Sequence, residues 1–182
     1  MEILNNIIDM AKRNRKKIIL PESDDIRVIR AACYIQDNEI ADIVLIGNKE
    51  EILNLCNKNN IEFNYDIDIV DISKEIKLKE KYAKKLYELR KNKNVSLSQA
   101  RKLVEDSTYF AVMMAYFKEA DGVVSGATHS TSDTLRPALQ IIDRKSGVNS
   151  ISSFFIMQTE NKDLGHEGRF LFADCGLIKS PN

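Results

Sequence analysis

The chain has 182 residues, 43% hydrophobic and 30% charged, with 27 basic and 27 acidic side chains and a formal net charge of zero. That composition is ordinary for a globular chain with one good domain, or one domain and part of another. The charge balance excludes a nucleic-acid binder that relies on a bulk positive field. No apolar run approaches the ~20 residues of a membrane span. The start, Met1-Glu2-Ile3-Leu4-Asn5, lacks the order of a signal peptide, and Glu2 and Asp9 argue against a transit peptide. Cys33, Cys56 and Cys175 are widely spaced with no C-x-x-C, which points to a reducing cytoplasm and excludes a disulfide framework or zinc ribbon. Cys33 and Cys56 continue apolar helix stripes and read as small core residues. A cytoplasmic chain with no nucleic-acid or membrane partner is expected.

In chain order, helix and strand alternate. Residues 2–14 place Ile3, Ile7, Ile8 and Met10 at helical spacing. The cluster Lys12, Arg13, Arg15, Lys16, Lys17 follows, where cations suit the helix dipole. Lys17 to Glu22 reads as a buried strand ended by Pro21, with Ser23 or Asp24 capping the next helix through Ile26, Ile29, Ala32, Cys33 and Gln36. Residues 41–47 predict a second strand, and Asn48-x-x-Glu51 a capping box for a helix through Asn57. Asp66 to Ile72 reads as a third strand.

The Lys-rich helix from Ser73 to about Asn92 carries a stripe at Leu78, Tyr82 and Leu86, which Arg90 extends. An arginine on that stripe either seeks an anion or is an ordinary end-of-helix residue. Ser96-x-x-Gln99 starts another helix, and the apolar run Tyr109 to Phe117 reads as a helix buried on most sides. After a short strand to Val124 and a loop at Gly126, a helix runs through Arg144. Its Pro137 is tolerable if Thr134 is the cap. Lys145 to Asn149 reads as a turn, and 150–158 and 169–173 as strands joined by a polar loop. The expected fold is three-layer α/β/α with a mostly parallel sheet, plus the start of a second α/β lobe. The boundaries expected are 1–147 for the α/β domain and 148–182 for the beginning of the second lobe.

The segment from Gly122 to Arg136 carries most of the functional signal. It passes from strand through Gly126 into a helix start, and six of the ten residues from Ser125 to Thr134 bear a hydroxyl. Free amides at a helix N-terminus, its dipole, hydroxyls and the Arg136 guanidinium suit a phosphate or carboxylate. The same residues also suit plain helix capping, and both readings stand on composition. The stretch is neither a Walker loop nor a dinucleotide fingerprint. Ligands of parallel sheets sit outside the carboxyl ends of the strands, where this loop falls.

Val124-Ser125-Gly126-Ala127-Thr128-His129-Ser130-Thr131-Ser132-Asp133-Thr134-Leu135-Arg136-Pro137-Ala138-Leu139-Gln140-Ile141-Ile142 closely resembles the signature of the phosphate acetyltransferases. Ile19-Leu20-Pro21-Glu22 with Arg27, Glu88-Leu89-Arg90-Lys91 and Phe170-Leu171-Phe172-Ala173-Asp174 follow the family's order and spacing. The resemblance implies acetyl-CoA + phosphate ⇌ acetyl phosphate + CoA. The reaction runs by direct thiolate attack in a ternary complex held between two α/β lobes. It implies Arg136 as the phosphate-binding arginine beside the chemistry and Arg90 as an arginine for CoA or substrate. Ser125, Gly126, His129 and Thr134 belong to the substrate-binding loop, with His129 either touching substrate or bonding within the loop. Asp133 reads as a cap rather than a base.

Acetyl phosphate is already activated, so no metal and no tightly bound cofactor is expected. The partners implied are CoA, acetyl phosphate and phosphate, and the assembly a homodimer. Family members run to about twice this length, with the base aspartate in their distal half, past the position that matches Asn182. Lys162 stands where some relatives have a cysteine, and Cys175 is not a nucleophile, because the reacting sulfur belongs to CoA. A non-catalytic CoA- or phosphate-binding module and a phosphate butyryltransferase are the alternatives.

Overall fold

Four short strands, β1 (Lys17–Leu20), β2 (Asp42–Ile46), β3 (Asp68–Val70) and β4 (Gly122–Val123), form a parallel sheet in the order β3-β2-β1-β4. They belong to a computed structural model that describes residues 2–142 and 151–174. Ile18 pairs with Ile43 on one side and Gly122 on the other, so β1 lies at the centre of the strand crossing. The chain moves outward from β1 through β2 to β3, then returns to place β4 on β1's opposite side. That reversal opens a crevice at the carboxyl ends of β1 and β4, the usual ligand position in such sheets.

Side chains alternate along each strand and so feed two cores. Ile43 and Leu45 pack with Ile29, Ala32, Cys33, Ile52 and Cys56, on α2 (Ile26–Asp37) and α3 (Lys49–Lys58). Val44 and Ile46 pack on the other face, against α4 (Ile76–Arg90), α5 (Leu97–Leu103), α6 (Ser107–Tyr116) and α7 (Thr131–Ile141). The three-layer α/β/α arrangement expected from the alternation is the one observed. α1 (Glu2–Arg13) opens the chain. Among the described residues no helix is long and apolar enough to cross a membrane.

Several boundaries differ from expectation, each for a local reason. Asp25, rather than Ser23 or Asp24, caps α2 by accepting the Arg27 N–H at 2.7 Å. Ser23 instead donates to the Ile46 carbonyl at 2.6 Å and ties the ends of β1 and β2 together. Asn48 caps α3 through the Glu50 and Glu51 amides, without a return bond from Glu51, so half the expected box forms. The third strand is shorter than expected because Asp71 turns the chain, accepting both the amide and the hydroxyl of Ser73. α4 starts at Ile76 rather than Ser73 and closes at Arg90 into a single 3₁₀ turn, Lys91–Lys93. The Ser96–Gln99 capping box is complete. Asp106 then accepts the Thr108 and Tyr109 amides and starts the buried α6 as a separate helix.

α7 is capped by Ser130, not Thr134. Pro137 consequently lies well inside the helix, where its missing N–H removes an internal bond. Burial of the ring against the core accompanies that loss. The expected helix end at 143–144, the turn at 145–149 and Cys175 lie outside the described residues.

The chain divides into two compact units, Asp9–Asp143 and Met1–Ile8 with Arg144–Asn182. The second contains β5 (Phe154–Gln158) and β6 (Arg169–Ala173), paired antiparallel with Ile156 opposite Leu171. The connecting loop closes where Gly168, at φ +78, accepts no Cβ: one would sit 2.6 Å from the Thr159 carbonyl oxygen.

Candidate functional site

The Gly126 loop leaves β4 at the crevice and turns at once. Gly126 has φ +115, a conformation that side chains rarely tolerate, while a Cβ there would meet only Thr134 Oγ1, at an ordinary 3.7 Å. The turn points successive amides at one carboxylate, that of Glu22, which follows β1 on the adjacent strand. Glu22 Oε2 accepts the amides of Gly126 and Ala127 at 2.8 and 2.9 Å. Its Oε1 accepts the amides of Thr128 and His129 at 2.8 and 3.0 Å and the Thr128 hydroxyl at 3.0 Å. The imidazole Nδ1 of His129 lies 2.8 Å from the same oxygen.

Glu22 is only 2% exposed. Burial pushes its carboxyl up, but the bonds from Thr128, Ala127, His129 and Gly126 outweigh this and hold it well below the usual carboxylate range. The Glu22 hydrogen bond in turn raises His129, against a smaller lowering by burial and with help from the Glu22, Asp106 and Asp133 charges.

Beside this turn is a cleft of ≈ 630 Å³ whose lining includes His129, Asp133, Arg136, Tyr109, Asp106, Lys93 and Lys102. Arg136, in the second turn of α7, presents a side chain that is 59% exposed, with Nη2 3.9 Å from Asp133 Oδ1. Asp133 is not itself the cap: its amide donates to Ser130 Oγ, and its carboxylate accepts the Ser130 hydroxyl at 2.7 Å. The Tyr109 hydroxyl donates to Gln140 at 2.9 Å. Burial pushes the Tyr109 phenol up, and the charges of both Arg136 and Arg90 pull it back. Arg90 is the last residue of α4. Its Nε is buried and has no hydrogen-bond partner among the described residues, a donor that a ligand anion would satisfy.

The sequence-predicted site residues thus separate. Arg136 and His129 line one cleft, and Arg90 is not among its lining. The Gly126 amide is already engaged by Glu22. Ser125 and Thr134 line a different hollow, of ≈ 520 Å³, together with Thr108. All three hydroxyl oxygens there are buried and unpartnered among the described residues. Sequence reasoning missed Glu22 as a binding group, although Leu20-Pro21-Glu22, an acid directly after a buried strand, was the signal. It also missed Lys93 and Lys102, which carry no motif of their own in the sequence. Among the described residues no group of three His, Cys, Asp or Glu side chains could hold a metal ion.

Chemically, the cleft offers guanidinium, ammonium and imidazole donors to an anion. Its two carboxylates, Asp106 and Asp133, are tied to helix starts. A phosphate-bearing ligand fits that donor set.

The family model for phosphate acetyl/butaryl transferases matches residues 2–182. A phosphate acetyltransferase of Acetivibrio thermocellus is 47% identical over 182 residues, 100% of this chain and 54% of the relative. One from Thermoanaerobacterium thermosaccharolyticum is 46% identical over the same shares. Among solved structures, the EutD phosphotransacetylase from Staphylococcus aureus superposes with a TM-score of 0.82 at 34% identity, covering 99% of this chain and 52% of that one. A phosphotransacetylase from Streptococcus pyogenes gives 0.83 at 36% identity, covering 99% and 53%. The chain spans about half the length of the curated relatives it matches. With its crevice, its Arg136 loop and a family match along nearly its whole length, the chain belongs to the phosphate acetyl/butaryl transferase family.

Proposed function

We propose that the chain carries the phosphate-holding part of an acyltransferase site for acetyl-CoA + phosphate ⇌ acetyl phosphate + CoA. The observation that supports this most is the meeting of Arg136, His129, Lys93 and Lys102 in one cleft beside the Gly126 turn. In the direction of acetyl-CoA formation, the CoA thiolate attacks the acetyl carbonyl. The S–C bond forms, the C–O bond to phosphate breaks, and phosphate departs with the electron pair. Arg136 holds the phosphate and the charge that develops on it, and Arg90 meets an anionic group of CoA or substrate. Ser125 and Thr134 supply hydroxyl donors from the neighbouring hollow, and Gly126 shapes the turn that carries His129. Residues 1–147 form the domain carrying this loop, and 148–182 begin a second lobe. A cytoplasmic homodimer using CoA as a substrate, with no resident cofactor, completes the reading.

Removing one preorganised donor to a developing charge costs on the order of 3 kcal/mol, or ~100-fold in rate. Phosphate-dependent turnover of acetyl-CoA is therefore expected to fall by that factor in Arg136→Ala, and unchanged turnover would refute the role. A second reading, a CoA- or phosphate-binding module without catalysis, has one observation in its favour. Both acidic residues of the cleft serve helix starts, Asp106 at α6 and Asp133 at α7, so neither is free to deprotonate a thiol. Calorimetric binding of CoA or phosphate without turnover supports that module, and absence of binding sinks it. An acyl-chain competition assay separates acetyl from butyryl transfer.

A further inference from the structure

A carboxylate buried like Glu22 is costly unless every oxygen is paired. Its pairing is unusually complete: four consecutive amides, one hydroxyl and one imidazole nitrogen converge on it. Successive amides that close on one point make the concave nest with which proteins bind phosphate. In this chain the nest already holds an anion, delivered by the neighbouring strand. β1 and β4 are adjacent in the sheet, so the carboxyl end of one strand fills the turn that follows the other.

One further group is fixed by the same contact. His129 turns Nδ1 toward Glu22, and its other ring nitrogen, Nε2, makes no hydrogen bond to any described residue. His129 also lines the cleft of Arg136. A carboxylate behind an imidazole fixes its tautomer and favours the imidazolium. We propose that Glu22 is a positioning residue: it fills the Gly126–His129 turn as a built-in anion and, through His129, presents an Nε2–H donor beside Arg136 to the substrate's phosphate. The last step rests on reading that cleft as the phosphate site.

The groups around the imidazole are mixed in sign. Glu22, Asp106 and Asp133 favour its cation, while Arg136, Lys93 and Lys102, along the same cleft, oppose it. Tyr109 contributes a neutral phenol there, and Thr128 Oγ1 stands 3.4 Å from Nδ1. The raised affinity of His129 for its proton agrees with the acids prevailing.

The test is an NMR titration of the His129 ring nitrogens in the 182-residue chain, paired with sulfate binding across the same pH range. Sulfate mimics phosphate but does not titrate there. In the wild type the neutral ring should carry its proton on Nδ1, and sulfate affinity should fall as pH passes the His129 midpoint. Glu22→Gln should lower that midpoint by about one unit, a tenfold weaker hold on the proton, and move the fall in sulfate affinity by the same amount. Glu22→Asp should restore part of both. An unmoved midpoint, or a neutral ring protonated on Nε2, overturns the proposal. The tautomer is read in the wild type, so it decides the matter even if Glu22→Gln fails to fold. A wild type that binds no sulfate while its His129 tautomer and midpoint behave as stated overturns the reading of the cleft instead.

Discussion

β2 and β5 are both five residues long, and each has four apolar side chains in five, yet their surroundings are opposite. Ile43, Val44, Leu45 and Ile46 are each at most 2% exposed, whereas Phe154, Phe155, Ile156 and Met157 range from 47% to 62%. Composition decides that both are extended; the layers on either face decide which becomes core. β2 lies between α2 and α3 on one side and the larger helical layer on the other, so its four apolar side chains leave water. β5 has β6 as its ladder partner, and a two-stranded ribbon buries little on its own. The functional residues follow the same division. Glu22 and His129 stand just past the carboxyl ends of β1 and β4 in the covered unit, where surrounding structure holds the Glu22 carboxylate out of solvent, and Arg136 follows on α7.

The largest effect expected from this contrast is at Phe110, which is fully buried. Phe110→Ala should destabilise the chain by about 3–5 kcal/mol in chemical denaturation. A cost near zero would mean that the helical layer on that face is not the core. Next in size is Glu22→Ala, which strands four amides and an imidazole and should cost about 3 kcal/mol.

The contribution of this pair should also depend on pH. Glu22, held low in the fold, stabilises above its unfolded value of ~4.3 and loses that as pH falls; His129, held high, stabilises below ~6.5 and loses that as pH rises through its folded value. The wild-type advantage over Glu22→Ala should therefore peak between these values. A flat difference across roughly pH 4–8 would deny the ionic character of the contact.

Ser130→Ala removes the cap of α7 and should cost about 1 kcal/mol by the same measurement. If Thr134→Ala costs that much and Ser130→Ala nothing, the helix starts four residues later than described. The smallest effect is at the ribbon: Phe155→Ala should stay within about 0.5 kcal/mol. A loss matching that of Phe110→Ala would break the comparison outright.

Much of the fold was legible in the sequence because its signals are local and repeat. Short apolar runs marked the strands, the Ser96–Gln99 box marked a helix start, and the Tyr109–Phe117 run announced a buried helix. What escaped depended on choices between near-equivalent neighbours or on contacts across the chain. Several hydroxyls around residue 130 can cap α7, and Pro137 misdirected the choice toward Thr134 because a proline is cheapest near a helix start. The Asp106 cap that starts α6 carried no mark in the sequence reading. Glu22 is the clearest case. Its partners lie more than 100 residues away, and only the β1–β4 pairing brings them together. The sequence motif read the loop as either a helix cap or an anion site, and the anion its amides hold in the structure is the protein's own Glu22 carboxylate. In the function proposed above, substrate phosphate is left to the side chains, foremost Arg136.

That division of labour is tested most directly by calorimetric titration of inorganic phosphate and of CoA into the wild type and into Arg136→Ala. Saturable binding is expected in the wild type, with at least about tenfold weaker phosphate binding in a normally folded Arg136→Ala, the loss of one charged hydrogen-bond partner. Equal phosphate affinity in the two proteins would contradict it.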